Sequence, residues 1–178
     1  MTPEQLLLHL TPPPGVKTRP YPPYLDQIYR VSLAVAVAAL AVRGVGLLAA
    51  APGLAGAGAV GLSVATLVAA YTFLVWVERY RQLVLALAAV GTILVLVAAP
   101  WGVGFLMAAG SIMAAKETHC FRFPTGRIIP WASLVVALLG LWPPLRLLNG
   151  AGLLVVAALW APLLWARFRM RLITVTGG

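Results

Sequence analysis

The sequence alternates long apolar runs with short breaks that carry prolines, glycines or basic residues, and this pattern constrains the fold most strongly. Of 178 residues, 62% are hydrophobic and 10% are charged, whereas about 25% are charged in a typical soluble domain. A soluble domain of this size has too much surface for its volume to hide so many apolar side chains. The sequence therefore predicts an integral membrane protein, an all-α bundle of helices.

Six apolar segments approach the roughly 20 residues that a helix needs to cross a hydrocarbon layer of about 30 Å. The predicted helices cover residues 28–51, 54–77, 82–99, 101–120, 127–142 and 149–167. A proline-rich cytoplasmic or interfacial arm (1–27) precedes the bundle (28–168), and a basic tail (169–178) follows it. The fifth segment is short, so the sequence leaves open whether residues 127–148 make a full crossing.

The basic residues predict the orientation. If all six segments cross, eleven basic residues fall on one side and Arg146 falls on the other, while Arg43 lies inside the first helix. The eleven are Lys17, Arg19, Arg30, Arg79, Arg81, Lys116, Arg122, Arg127, Arg167, Arg169 and Arg171. Because basic residues concentrate on the cytoplasmic side, both termini are predicted to be cytoplasmic. We expect a multi-pass protein of the bacterial inner (cytoplasmic) membrane.

The stretch MAAKETHCFRF (113–123) brings polar residues to the end of the fourth apolar run. The fifteen uncharged residues before Lys116 span only about 22 Å as a helix. The helix must therefore continue to Cys120, which draws Lys116 and Glu117 into the membrane. At 100° per residue these three side chains share one sector of the helix, and His119 points elsewhere.

Three interpretations of this cluster stay open. Glu117 could anchor the helix by pairing with a basic residue of a neighbouring helix or loop. Cys120 could be a reactive thiol favoured by Lys116 at position i−4. Glu117, His119 or Cys120 could instead bind an ion or cofactor. Because His119 and Cys120 lie on different faces of one helix, their spacing is poor for a metal, and the sequence predicts no metal site and identifies no cofactor.

Arg43 is the second outlier, in the middle of the first apolar run. An isolated arginine at the bilayer centre costs about 2.5–3.5 kcal/mol on insertion scales, so its side chain needs an acceptor inside the bundle. Glu117, Glu78 or backbone carbonyls near glycines could accept its hydrogen bonds. One interpretation is a buried structural ion pair, and the other is a contact with a substrate, quinone or lipid headgroup.

The run GFLMAAGSIMAAKETHCFRFPTGRIIPW (104–131) resembles DUF2301, a family of bacterial integral membrane proteins of unknown activity. The matching signature is Lys-Glu-x-x-Cys-Phe, which places Lys116, Glu117, Cys120 and Phe121 at the family positions. Where the family pattern often carries an acidic residue, this chain has Pro-Thr-Gly at 124–126. The resemblance implies a multi-helix membrane protein and brings no activity, substrate or cofactor with it.

Three functions remain as hypotheses. The first is a non-catalytic accessory, scaffolding or assembly subunit of a larger membrane complex, favoured because Walker, HExxH and GxSxG motifs are missing from the sequence. The second is a small transporter or channel with a polar site at Arg43, Lys116 and Glu117. The third is a membrane thiol or cofactor protein that uses Cys120. Expected partners are the lipid bilayer and other membrane subunits or further copies of the chain, and nucleic acid is not expected.

Overall fold

The computed structural model of the chain describes residues 21–75, 77–121 and 123–173, and within them it confirms the all-helical bundle. Six α-helices follow one another along these residues: α1 (Pro23–Leu48), α2 (Pro52–Thr72), α3 (Glu78–Leu96), α4 (Gly102–Phe121), α5 (Ile129–Leu139) and α6 (Arg146–Arg169). Short 3-10 turns precede the last two helices, at Pro124–Arg127 and Pro143–Leu145. Most of the predicted arm, residues 1–20, and the tail end, 174–178, lie outside the described residues.

Four of the helices are long and apolar enough to cross a membrane by length and composition. They are α1, α2, α3 and α6 together with the 3-10 turn that leads into it. Helix α4 has 20 residues, but its last turns carry Lys116, Glu117 and His119. Helix α5 has 11 residues, which rise only about 16 Å. The fifth segment is therefore shorter than the predicted 127–142, because the chain turns at Gly140 and meets two prolines.

The helices pack in a closed ring in chain order, with α6 returning to α1 and α2 also touching α4. The starts of α1, α3 and α5 and the ends of α2, α4 and α6 therefore share one end of the bundle. Tyr21 shows this arrangement directly, because its hydroxyl donates a 2.8 Å hydrogen bond to the Thr72 carbonyl at the end of α2. Burial raises the pKa of Tyr21 above its ordinary value, and the negative charge of Asp26 adds to the effect. The phenol therefore stays protonated and remains a donor.

We call this end the basic end, because the described basic residues other than Arg43 and Arg146 lie there, as the predicted sidedness requires. Three boundaries differ from the sequence prediction by four residues or more. Helix α1 begins at Pro23 rather than at residue 28, since proline is tolerated in the first helical turn. This shift moves Asp26 out of the predicted arm and into the bundle. Helix α2 ends at Thr72 rather than at 77, and α3 begins at Glu78 rather than at 82.

Glycines bring the helices together at the opposite end. A Cβ atom added to Gly44 of α1 would lie 2.9 Å from the backbone oxygen of Gly150 in α6. A Cβ added to Gly58 of α2 would lie 2.5 Å from the backbone nitrogen of Arg43. Small residues allow such close backbone approach between membrane helices. The bundle is thus closed by backbone packing at one end and by charged side chains at the other.

Candidate functional site, a buried charge cluster

Five charged side chains meet inside the basic end of the bundle, and we call them the charge cluster. Asp26 and Arg30 come from α1, Lys116 and Glu117 from α4, and Arg167 from the last turn of α6. Both acids are fully buried, at 0% exposure, and Arg167 is 1% exposed. Charges removed from water in this way are strongly destabilising unless they are paired and hydrogen-bonded.

The Asp26 carboxylate is bound from three directions. Its Oδ2 accepts a 2.6 Å hydrogen bond from Arg30 one turn later on α1, and its Oδ1 accepts a 2.5 Å bond from Arg167 on α6. The backbone N–H of Ile173 also donates to Oδ2 at 3.1 Å. Asp26 therefore ties the start of α1 to the end of α6 and to the chain that follows it.

Glu117 is held by two bases. Lys116 Nζ donates to its Oε1 at 3.0 Å. Arg167 Nε lies 3.0 Å from Oε2 in an ion pair that lacks the alignment of a hydrogen bond. Lys116 Nζ also sits 5.9 Å from the ring centroid of Tyr29 and 5.7 Å from that of Phe73, within cation–π range. The prediction that Glu117 pairs with a basic residue of another helix is confirmed, and Arg167 is that residue.

The chain beyond α6 folds back over the cluster as a segment that we call the C-terminal strap, residues 170–173. Arg30 donates from Nη1 to the Met170 carbonyl and from Nη2 to the Arg171 carbonyl, both at 2.7 Å. Ile173 at the end of the strap is 3% exposed and packs beside Tyr21. The strap carbonyls therefore accept hydrogen bonds that Arg30 could otherwise donate to a ligand.

Cys120 lies under the strap in apolar surroundings. It is partly buried and packs against the cluster of Tyr21 and Ile173, together with Leu25 and Leu74. Reactive cysteines are typically accessible and electropositive in environment, whereas this thiol is partly buried and packs against apolar groups. The Lys116 ammonium, which was expected to favour the thiolate, donates a hydrogen bond to Glu117.

Neither His119 nor Phe121 belongs to the charge cluster. His119 points away from the buried Glu117, as the helical geometry predicted, and it is exposed, while Phe121 is the last residue of α4. Within the described ranges, no three His, Cys, Asp or Glu side chains come close enough to hold a metal ion. The signature therefore contributes Lys116 and Glu117 to the charge cluster and Cys120 to the apolar packing beside it.

Arg43 does not join the charge cluster. It lies thirteen residues beyond Arg30 on α1, about 20 Å along the helix axis. Its Nη1 donates a 3.1 Å hydrogen bond to the backbone oxygen of Ala55. Of the predicted acceptors, a backbone carbonyl is therefore correct, and Glu117 and Glu78 are wrong.

The sequence prediction missed three of the five cluster residues: Asp26, Arg30 and Arg167. Asp26 was assigned to the proline-rich arm, so α1 was expected to carry no acid. Two local signals could have found it: consecutive prolines that start a helix, and the i,i+4 spacing of Asp26 and Arg30. No local signal links either residue to Arg167 at the far end of the chain.

A small cavity in the centre of the bundle is separate from the charge cluster. Its volume is about 40 Å³ and its lining is mostly apolar, with hydroxyls from Thr66 and Ser133. The hydroxyls of Ser63 and Thr72 donate to carbonyls of their own helix, at 2.9 and 2.8 Å. A cavity of this size holds about one or two waters. It does not connect Arg43 with the charge cluster.

The fold and the cluster together define a helical bundle suited to a membrane and fastened by an internal charge network. A scan against protein-family models, a search of curated proteins and a search of solved structures each found no match. The function proposed below is therefore argued from the geometry of this chain.

Proposed function

We propose that the protein is a non-catalytic accessory, scaffolding or assembly subunit of a larger membrane complex. The observation that carries this proposal is the self-sufficiency of the charge cluster. Both buried carboxylates, Asp26 and Glu117, are held by bases of the same chain, and Arg30 donates to the strap carbonyls. Groups used in this way hold helices in register rather than meet a substrate.

The position of the cluster supports the same function. Through Arg167, the end of α6 is fixed to α1 and α4 at once, and through Asp26 the strap is fixed to α1. These contacts restrain three helices that are not consecutive in sequence. A rigid end of this kind suits a protein whose role is to present a defined surface to partners within the bilayer.

Of the four membrane-length helices, α3 is the least buried in the bundle, because only 17% of its most apolar stretch is buried. Its buried residues are Val84, Ala88 and Gly91, whereas Ile93 and Leu96 are 61% and 70% exposed. Lipid or a membrane partner must cover this apolar face, because water would not solvate it favourably. In the proposed assembly, α3 contacts another subunit or a second copy of the chain.

The proposal also covers the orientation of the bundle in the membrane and the family of the chain. The basic end faces the cytoplasm of a bacterial cell, so both ends of the bundle's chain lie on that side. Membership in the DUF2301 family is proposed on the Lys-Glu-x-x-Cys-Phe signature of α4, since Lys116 and Glu117 both serve the cluster that fixes the fold.

Site-specific photo-crosslinking in native membranes, followed by mild-detergent purification, tests the function. A photoreactive residue at Ile93 is expected to capture a membrane protein, and the purified protein is expected to elute as an assembly. The matched position is Val155, 56% exposed on the more deeply packed α6, which should capture mainly lipid. Recovery of a lone monomer, with no protein adduct at Ile93, contradicts the proposal.

A further inference from the structure

Four exposed arginines surround the basic end, and we call them the basic rim. Arg79 lies in the first turn of α3 and Arg127 in the 3-10 turn before α5, while Arg169 ends α6 and Arg171 lies in the strap. They come from different segments that the fold brings to one end. Their charge is therefore a property of the folded bundle and not of one basic run.

The acids in the described ranges leave this charge unbalanced. Asp26 and Glu117 are buried in the charge cluster, and Glu78 pairs with Arg81 on the surface of α3. None of the salt bridges between described residues includes an arginine of the basic rim. The rim thus presents four guanidinium groups to its surroundings.

An aromatic side chain places part of the rim at the level of the lipid headgroups. The Arg169 guanidinium lies 4.4 Å from the ring centroid of Trp165, which is 63% exposed one turn earlier on α6. Exposed tryptophan is favoured at the boundary between headgroups and hydrocarbon. Phe168 beside it is 48% exposed. An occupant of this surface must therefore offer both negative charge and apolar chains.

We propose that the basic rim binds anionic phospholipids, with the guanidinium groups on the lipid phosphates and the acyl chains against Trp165 and Phe168. Arginine matches phosphate well because its planar fork can donate two parallel hydrogen bonds. At the opposite end, Arg146 is the exposed arginine among the described residues. The preference for anionic lipid is therefore confined to one leaflet. This inference does not depend on the proposed scaffolding role.

The test compares protein reconstituted in phosphatidylcholine with protein in mixtures containing phosphatidylglycerol. Native mass spectrometry counts the lipids retained after extraction, and we expect phosphatidylglycerol to be enriched. The combined variant Arg79→Gln, Arg127→Gln, Arg169→Gln and Arg171→Gln should lose about fivefold in preference for each arginine removed, the equivalent of about 1 kcal/mol apiece. The matched Arg146→Gln variant should keep the enrichment.

Two further experiments are needed. One distinguishes the loss of charge from a loss of folding, and the other distinguishes lipid binding from binding of free phosphate. Lysine at the four rim positions should restore most of the enrichment, because lysine retains the charge. Inorganic phosphate should not raise the unfolding temperature of protein in phosphatidylcholine, and it should not displace phosphatidylglycerol from protein in the mixtures. The inference is overturned if the glutamine variant retains wild-type enrichment, if Arg146→Gln loses as much, or if inorganic phosphate competes as effectively as the lipid.

Discussion

Asp26 and Arg167 are 141 residues apart in the chain and form a fully buried ion pair of 2.5 Å. This contact closes the helix ring at its basic end, because it joins the first helix to the last. Arg30 shares the same carboxylate and Glu117 shares the same guanidinium, so the pair is the centre of the charge cluster.

Loss of the Asp26 carboxylate should be strongly destabilising. Asp26→Ala leaves Arg30 and Arg167 buried with less compensation, and breaking a buried pair by removing one partner costs about 3–5 kcal/mol. The free energy of unfolding in detergent, measured by denaturant titration, checks this value. Glu78→Ala is the matched control, since it removes an acid from the exposed pair with Arg81 and should cost less than about 1 kcal/mol. Equal losses in the two variants would show that the cluster contributes no special stability.

Release of the strap should expose Cys120, the only cysteine in the chain. Asp26→Asn weakens the hydrogen bond from the Ile173 amide, and bonds to charged groups contribute about 1.5–3 kcal/mol. We therefore expect maleimide to label Cys120 at least about tenfold faster in this variant at fixed pH. Arg146→Gln should label at the wild-type rate. An unchanged rate in a variant that circular dichroism shows to be folded would mean that the strap does not cover the thiol.

A methyl group at Gly58 should disturb the contact between α1 and α2. The added Cβ meets the backbone of Arg43 at 2.5 Å, and backbone cannot move aside as a side chain can. We expect Gly58→Ala to lower the free energy of unfolding by about 1–3 kcal/mol, the range for overpacking. Gly56→Ala in the same helix meets nothing within 4 Å and should be neutral or stabilising by up to about 1 kcal/mol. The idea fails if both variants shift the unfolding midpoint alike.

The free energy of unfolding should fall at high pH because Tyr21 holds its proton more tightly in the folded protein. Burial raises its pKa in the folded state, so the folded protein binds this proton more tightly than the unfolded chain does. The contribution is complete below the ordinary tyrosine pKa of about 10 and decreases as pH rises above it. Tyr21→Phe should reduce the slope of stability against pH in that range, measured by thermal unfolding. Tyr24→Phe alters a tyrosine that is 60% exposed and should leave the slope near wild type.

The apolar runs predicted the helices well because each run is a local property of the sequence. The extension of α4 to its last turn was predicted from the length that a crossing needs, and the observed end of α4 at Phe121 confirms it. The direction of His119, away from Glu117, followed from helical periodicity. The end of α5 was missed because Gly140 and the prolines after it end the helix before the apolar run ends.

The charge cluster could be predicted only in part, because its contacts join distant segments. The sequence showed that Glu117 needs a basic partner, but no pattern distinguishes Arg167 from the other arginines of the basic end. Arg43 was grouped with Glu117 because both lie in apolar runs. Their separation along the bundle depends on which helix ends meet, and that follows from the packing of the whole ring.

The pairing of Asp26 with Arg167 has a consequence for biosynthesis. Translation delivers α1 first and Arg167 only after the other five helices, so during synthesis the acid has Arg30 as its only cluster base within α1. A nascent protein cut short before α6 keeps the pair of Asp26 with Arg30 but lacks the contact that joins α1 to α6. The ring can therefore be fastened at its basic end only after the last turn of α6 has been synthesised.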